Sequence, residues 1–154
     1  MRTLWTYVTR IAAVSCTIAA GVAFAPPAQA ADYGCSGSLI ETLSVKTLDG
    51  TKYGELKVYY SSANGGTNCA VTVDTRFSGT FKHMDAWVAR CATNSTVSLC
   101  NWDKADPDSG TYQYYAGPVS ITQTASRCIR AEGWIENPTT GTDAYATLPR
   151  SHCA

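Results

Sequence analysis

The stretch Gly54 to Val73 reads GELKVYYSSANGGTNCAVTV, and its reading decides the fold. In its first run Leu56, Val58 and Tyr60 alternate with Glu55, Lys57 and Tyr59, the period-2 pattern of a half-buried strand. In its second run Ala70, Val71 and Val73 surround Thr72, with Cys69 available to tie the pair to a neighbour. Between them Ser61, Ser62, Asn64, Gly65, Gly66 and Asn68 make a loop whose Asn-Gly-Gly supplies positive-φ positions at little steric cost. The stretch therefore predicts the central hairpin of a small all-β domain.

Working outward, Leu39 to Leu48 predicts a first strand, and Asp49-Gly50 turns it into the hairpin, so the first three strands form a meander. Beyond Arg76-Phe77-Ser78-Gly79, residues Phe81 to Cys91 set Phe81, His83, Asp85, Trp87, Ala89 and Cys91 on one face against Lys82, Met84, Ala86, Val88 and Arg90. Neither face is cleanly polar, as in a strand covered on both sides over part of its length. Val97 to Trp102 is expected to return as its partner. Asp103 to Gly110 (DKADPDSG) is the most polar, turn-rich stretch and reads as an exposed acidic loop; it lacks the EF-hand spacing that calcium would need. Strands follow over Val119 to Thr124, Arg127 to Ile135 and Asp143 to Leu148, with Cys128, Arg130, Glu132 and Trp134 opposite Ile129, Ala131 and Ile135. Some seven to nine short antiparallel strands without an amphipathic helix predict a β-sandwich or a flattened barrel.

Residues 1–30 carry the layout of a secretory signal peptide. Arg2 and Arg10 mark a positive start, Ile11 to Ala25 is apolar, and Pro26-Pro27-Ala28-Gln29-Ala30 ends in Ala-x-Ala, placing the cut between Ala30 and Ala31. The apolar run is about 15 residues, short of the roughly 20 that span a bilayer, which weakens a retained anchor. Acylation of Cys16 is weaker still, because Ala13 stands where a lipoprotein signal carries leucine. The expectation is an exported chain, free of the membrane after cleavage, with one domain over residues 31–154. The formal net charge of zero becomes about −2 once Arg2 and Arg10 leave. No basic cluster points to nucleic acid.

Removing Cys16 leaves six cysteines: Cys35, Cys69, Cys91, Cys100, Cys128 and Cys153. An even number in an exported chain reads as three disulfides, with fifteen connectivities open. A metal site is disfavoured, since no Cys-x-x-Cys occurs and the only other histidine beside His83 is His152, so no metal or cofactor is expected. Cys91 and Cys100 flank Thr93 to Thr96 closely enough for a local pair across a hairpin. Proximity in sequence then favours Cys35–Cys69 with Cys128–Cys153. Asn94-Ser95-Thr96 is a formal glycosylation sequon, and a chance occurrence is the better explanation of it.

The chemistry legible in the chain is sparse. A hydrolytic triad would need His83 or His152 as base, one in a strand and one at the C-terminus, and no G-x-S-x-G is present. A glycosidase would need a facing pair drawn from Asp85, Glu132, Glu136 and Asp143, in a chain with little room for a cleft. The chain reads as no enzyme, and binding is the stronger class. Trp87, Trp102 and Trp134 accompany eight tyrosines, and flat aromatic faces stack on sugar rings or bury into partners. Each of these tryptophans is ordinarily core in a β-domain. The dense cluster Tyr112, Tyr114 and Tyr115 must turn partly outward and is the expected ligand-binding patch. A secreted inhibitor, presenting Asp103 to Gly110 or Thr93 to Thr96 to an enzyme cleft, is the alternative. A small hydrolase ranks last.

The YYSSANGGTNCAVTV segment (Tyr59 to Val73), the SGTYQYYAGPVSI segment (Ser109 to Ile121) and the spacing to Cys128 and Cys153 resemble the family of spore-associated protein A. These are small exported proteins of filamentous, spore-forming bacteria. The resemblance covers most of residues 31–154, and YYAGPV (Tyr114 to Val119) is its most specific part. Cys35, Cys69, Cys128 and Cys153 match its pattern, whereas Cys91 and Cys100 stand outside it, which supports pairing those two with each other. The resemblance implies secretion and association with the aerial hypha or spore surface. Together with the aromatic supply it leads to the expectation of a non-enzymatic surface protein that binds a surface polymer or another protein. The resemblance itself implies no catalytic residue.

Overall fold

In the computed structural model, residues 32–96 and 99–153 are described. The expected signal segment, the cut at Ala30/Ala31 and Cys16 lie outside them. The alternation around Leu56 becomes β2 (Lys52–Ser61) and the run after the loop becomes β3 (Thr67–Asp74), in an antiparallel ladder that sets Leu56 against Thr72 and Val58 against Ala70. The loop reverses through positive φ at Asn64 (55°), Gly65 (73°) and Gly66 (87°). A Cβ on Gly66 would stand 2.4 Å from the Ala125 amide nitrogen, so glycine is required there for space as well as for φ.

β1 (Ser38–Lys46) pairs with β2 across the Asp49-Gly50 turn, where the Thr47 hydroxyl and the Thr51 amide both donate to the Asp49 carboxylate. The chain continues through β4 (Lys82–Cys91), β5 (Trp102–Tyr112), β6 (Tyr115–Thr122), β7 (Ile129–Glu136) and β8 (Asp143–Ser151). The eight strands form one sheet in the order β5-β4-β7-β8-β1-β2-β3-β6, and every pairing is antiparallel. The sheet curls into a nearly closed, flattened barrel. One core, with Leu56, Val58, Met84, Val88, Ile121, Ile129 and Ile135 fully or almost fully buried, fills it. The flattening is read at Gly133, where a Cβ would stand 2.4 Å from Thr72 Oγ1 and 3.3 Å from Leu56 Cβ, so β7 presses directly on β2 and β3.

Two expectations for the middle of the chain are corrected. The partner of β4 is β5, which begins at Trp102, not a strand over Val97 to Trp102; positions 97 and 98 lie outside the described residues. Asp103 to Gly110 is accordingly no loop but the body of β5, registered from Arg90↔Lys104 to Met84↔Gly110. Its polar composition suits the last strand of the sheet, where Pro107 is tolerated and acidic side chains find work. β5 and β6 stand at opposite ends of the order but meet at the barrel seam, and carboxylates close it. Asp106 accepts from the Ser120 amide at 2.7 Å, and Asp108 from the Gly117 amide and the Tyr112 hydroxyl at 2.6 Å each. Asp103 bridges Arg90 (2.9 Å) and Arg127 (2.6 Å), and the two arginines hold its carboxyl below the ordinary range, Arg90 foremost.

Three disulfides, Cys35–Cys69, Cys91–Cys100 and Cys128–Cys153, tie the periphery together. Such bridges fit an oxidising extracellular compartment. Among the described residues no helix is long and apolar enough to cross a membrane.

Candidate functional site

The outer face of β4, β5, β7 and β8 carries the site. Alternation along β4 sends Met84, Ala86 and Val88 inward and Asp85 and Trp87 outward, and along β7 it sends Ala131 and Ile135 inward and Arg130, Glu132 and Trp134 outward. Register joins these into rows. Asp85 stands opposite Trp134, which stands opposite Tyr145, and Trp87 stands opposite Glu132, which stands opposite Thr147. Trp102, at the start of β5, packs edge-on against Trp87 with ring centroids 5.6 Å apart. The result is a groove of about 710 Å³ lined by these side chains, within the size range of sites that hold small ligands.

Its electrostatics are unbalanced. Arg130 donates to Glu132 two positions on, which neutralises that carboxylate. Asp85 receives no side-chain hydrogen bond or ion pair among the described residues, and its Oδ1 is shielded from solvent. Burial pushes the Asp85 carboxyl above the usual carboxylate range, and the like charges of Asp108 and Glu132 add to the rise. The Trp134 indole N–H and the Arg130 Nε–H are likewise shielded and unpaired. The Tyr145 hydroxyl beside Trp134 makes no well-formed bond to that N–H; it donates to Asp143 at 2.9 Å. A buried polar group left unpaired costs about 1–3 kcal/mol, and three such atoms, on Asp85, Arg130 and Trp134, lie on this one face.

The tyrosine cluster is placed otherwise than alternation implies. Tyr112, Tyr114 and Tyr115 do line one shallow depression with Phe81, yet the chain turns between β5 and β6 at Gln113 and Tyr114. Tyr112 and Tyr114 therefore share no strand face. Tyr112 packs against the core and donates to Asp108, while Tyr114 (54% exposed) and Tyr115 (38%) face out and Tyr115 meets Tyr33 edge-on. The turn is held from beneath by a buried ion pair, Lys82–Asp74 at 2.8 Å, whose lysine also donates to the carbonyls of Thr80 and Gln113. Losing one partner of such a pair typically costs about 3–5 kcal/mol. The depression is anchored, but it offers no orphaned polar group of its own.

His83 is exposed on β4, and His152 stands 3.7 Å from Glu41. Glu136 ends β7 opposite Asp143 at the start of β8, whereas Asp85 and Glu132 share the groove. Among the described residues no group of three or more His, Cys, Asp or Glu side chains could hold a metal ion. Asn94 is exposed in the turn closed by Cys91–Cys100. Taken singly each tryptophan reads as core, which hides the groove in the sequence; the signal lies in the outward sets of β4 and β7.

Fold and site together define a small disulfide-bonded antiparallel barrel with an aromatic groove on its outer wall. No protein-family model matches the chain, and neither a curated protein nor a solved structure gives a significant match.

Proposed function

We propose that this is a secreted, non-enzymatic protein of the cell or spore surface that binds a surface polymer or another surface protein. The observation that carries the reading is the open wall: Trp87, Trp102, Trp134 and Tyr145 around polar atoms that the protein itself leaves unpaired. Aromatic faces with a few fixed polar groups are how sugar polymers and partner chains are held. Export is supported by the disulfides and the N-terminal pattern, and the spore or aerial-hypha address by the sequence resemblance alone. A polymer suits the groove better than a globular protein, because its aromatics lie along a concave channel.

The test is retention of residues 31–154 on cell-wall and spore-envelope fractions. Wild-type protein should be retained and Trp102→Ala released, with the Tyr114→Ala protein behaving like wild type. Release by Tyr114→Ala instead would move the site to the tyrosine depression. One observation favours a hydrolase as second reading, namely that Asp85 and Glu132 share the groove. Glu132 is tied to Arg130, which ill suits a free nucleophile or base. New reducing ends on incubation with a bound glycan would establish that reading in place of the first.

A further inference from the structure

The composition of the groove narrows what it takes. Three charged side chains line it, and Arg130 is committed to Glu132, so one carboxylate, Asp85, stands without a counter-charge. It does so beside Trp87 and Trp134, whose ring faces attract cations. Directly across the ladder from Asp85, the Trp134 N–H needs an acceptor. A ligand that satisfies both groups offers a cation and, on a neighbouring atom, an oxygen acceptor.

We propose that the groove is a binding site for an amino sugar with a free ammonium group, as a residue of a surface glycan. The ammonium pairs with Asp85, the neighbouring ring hydroxyl accepts from Trp134 Nε1, and the sugar face lies on the exposed Trp102 ring, which stands edge-on to Trp87. A lysine side chain or a quaternary ammonium would meet the carboxylate but brings no adjacent hydroxyl for the indole. An N-acetylated sugar brings the acceptor but no charge. The inference rests on the polymer-binding reading and adds the chemistry of the polymer. The charged and titratable groups around Asp85 are Asp108 and Tyr112 from β5, Arg130 and Glu132 from β7 and Tyr145 from β8. Burial and the two acids already raise the Asp85 carboxyl, so an arriving cation relieves an existing repulsion.

The experiment compares matched oligosaccharides that differ only at carbon 2: hydroxyl (cellohexaose), acetamide (chitohexaose) and amine (hexaglucosamine), the last at a pH where it is protonated. Wild-type protein should bind hexaglucosamine about tenfold or more tighter than the other two. Asp85→Asn, which keeps the side-chain shape, should erase that preference, and Trp102→Ala should weaken all three. Equal affinities for the three sugars, or a preference that survives Asp85→Asn, would overturn the ammonium site. A lysine peptide that binds as tightly as hexaglucosamine would overturn the sugar as its source. If no oligosaccharide binds while Trp102-dependent retention on surface fractions persists, this inference fails and the broader reading stands; loss of that retention removes the broader reading itself.

Discussion

The barrel has two walls, and they treat the same kind of residue in opposite ways. On the wall of β2, β3 and β6 the outer face is covered along β3. Cys35, in the short segment before β1, is fully buried and bonded to Cys69, and the two form a second apolar cluster outside the barrel with Tyr59, Val71 and Val73. β3 is buried on both faces from Asn68 to Asp74. On the wall of β4, β5, β7 and β8 the outward aromatics stay more open among the described residues: Trp102 is 58% and Tyr145 54% exposed, and Trp87 and Trp134 are half-buried. Burying apolar surface stabilises a small domain wherever chain is available to cover it. Aromatics that stay open beside unpaired polar atoms are the observation on which the proposed binding site rests.

The contrast can be broken most sharply from the covered side. Replacing Cys35 and Cys69 together by alanine should cost about 2–5 kcal/mol in denaturant unfolding and leave groove binding unchanged. If binding fell as well, the walls would be coupled and the division wrong. Next comes Gly133→Ala, whose added Cβ meets Thr72 Oγ1 at 2.4 Å and Leu56 Cβ at 3.3 Å. Overpacking at the floor of the open wall should cost about 1–3 kcal/mol, also read by unfolding, and a neutral result would mean that the inner face is loosely packed.

The smallest effect is the most diagnostic, and it depends on pH. Asp85 has its folded-state value raised, so as pH rises the unfolded chain gives up that proton first and the folded state is penalised. The penalty grows from the ordinary aspartate value, about 3.9, up to the raised folded value and persists above it. Asp85→Asn should therefore melt higher than wild type at neutral pH, with the gap closing in acid. Asp103 at the seam has the opposite sign: its lowered folded value contributes stability at neutral pH that is lost as pH falls through it. Asp103→Asn should melt lower than wild type at neutral pH, again with convergence in acid. Like behaviour from the two variants would dissolve the distinction between a site carboxylate and a structural one.

Legibility followed the range of the interactions. The β2–β3 hairpin could be read because alternation and positive-φ loop residues act over a few neighbours, and the Asp49-Gly50 turn for the same reason. The cysteine pairs nearest in sequence are the pairs the structure joins. β5 could not be read. DKADPDSG has the composition of a loop, and it is a strand because Asp103, Asp106 and Asp108 meet Arg90, Arg127 and the amides of β6 at the seam.

The sequence alone determined an all-β chain, its central meander and two faces on each of β4 and β7, since a period of two is a local property. Which face looks outward, that β7 lies between β4 and β8, and that Cys35 packs on the outer face of β3 were decided only on folding. Strand pairing across dozens of residues is chosen by the whole core at once, and that choice put Asp85 opposite Trp134 and made a groove of side chains that look like core when taken singly.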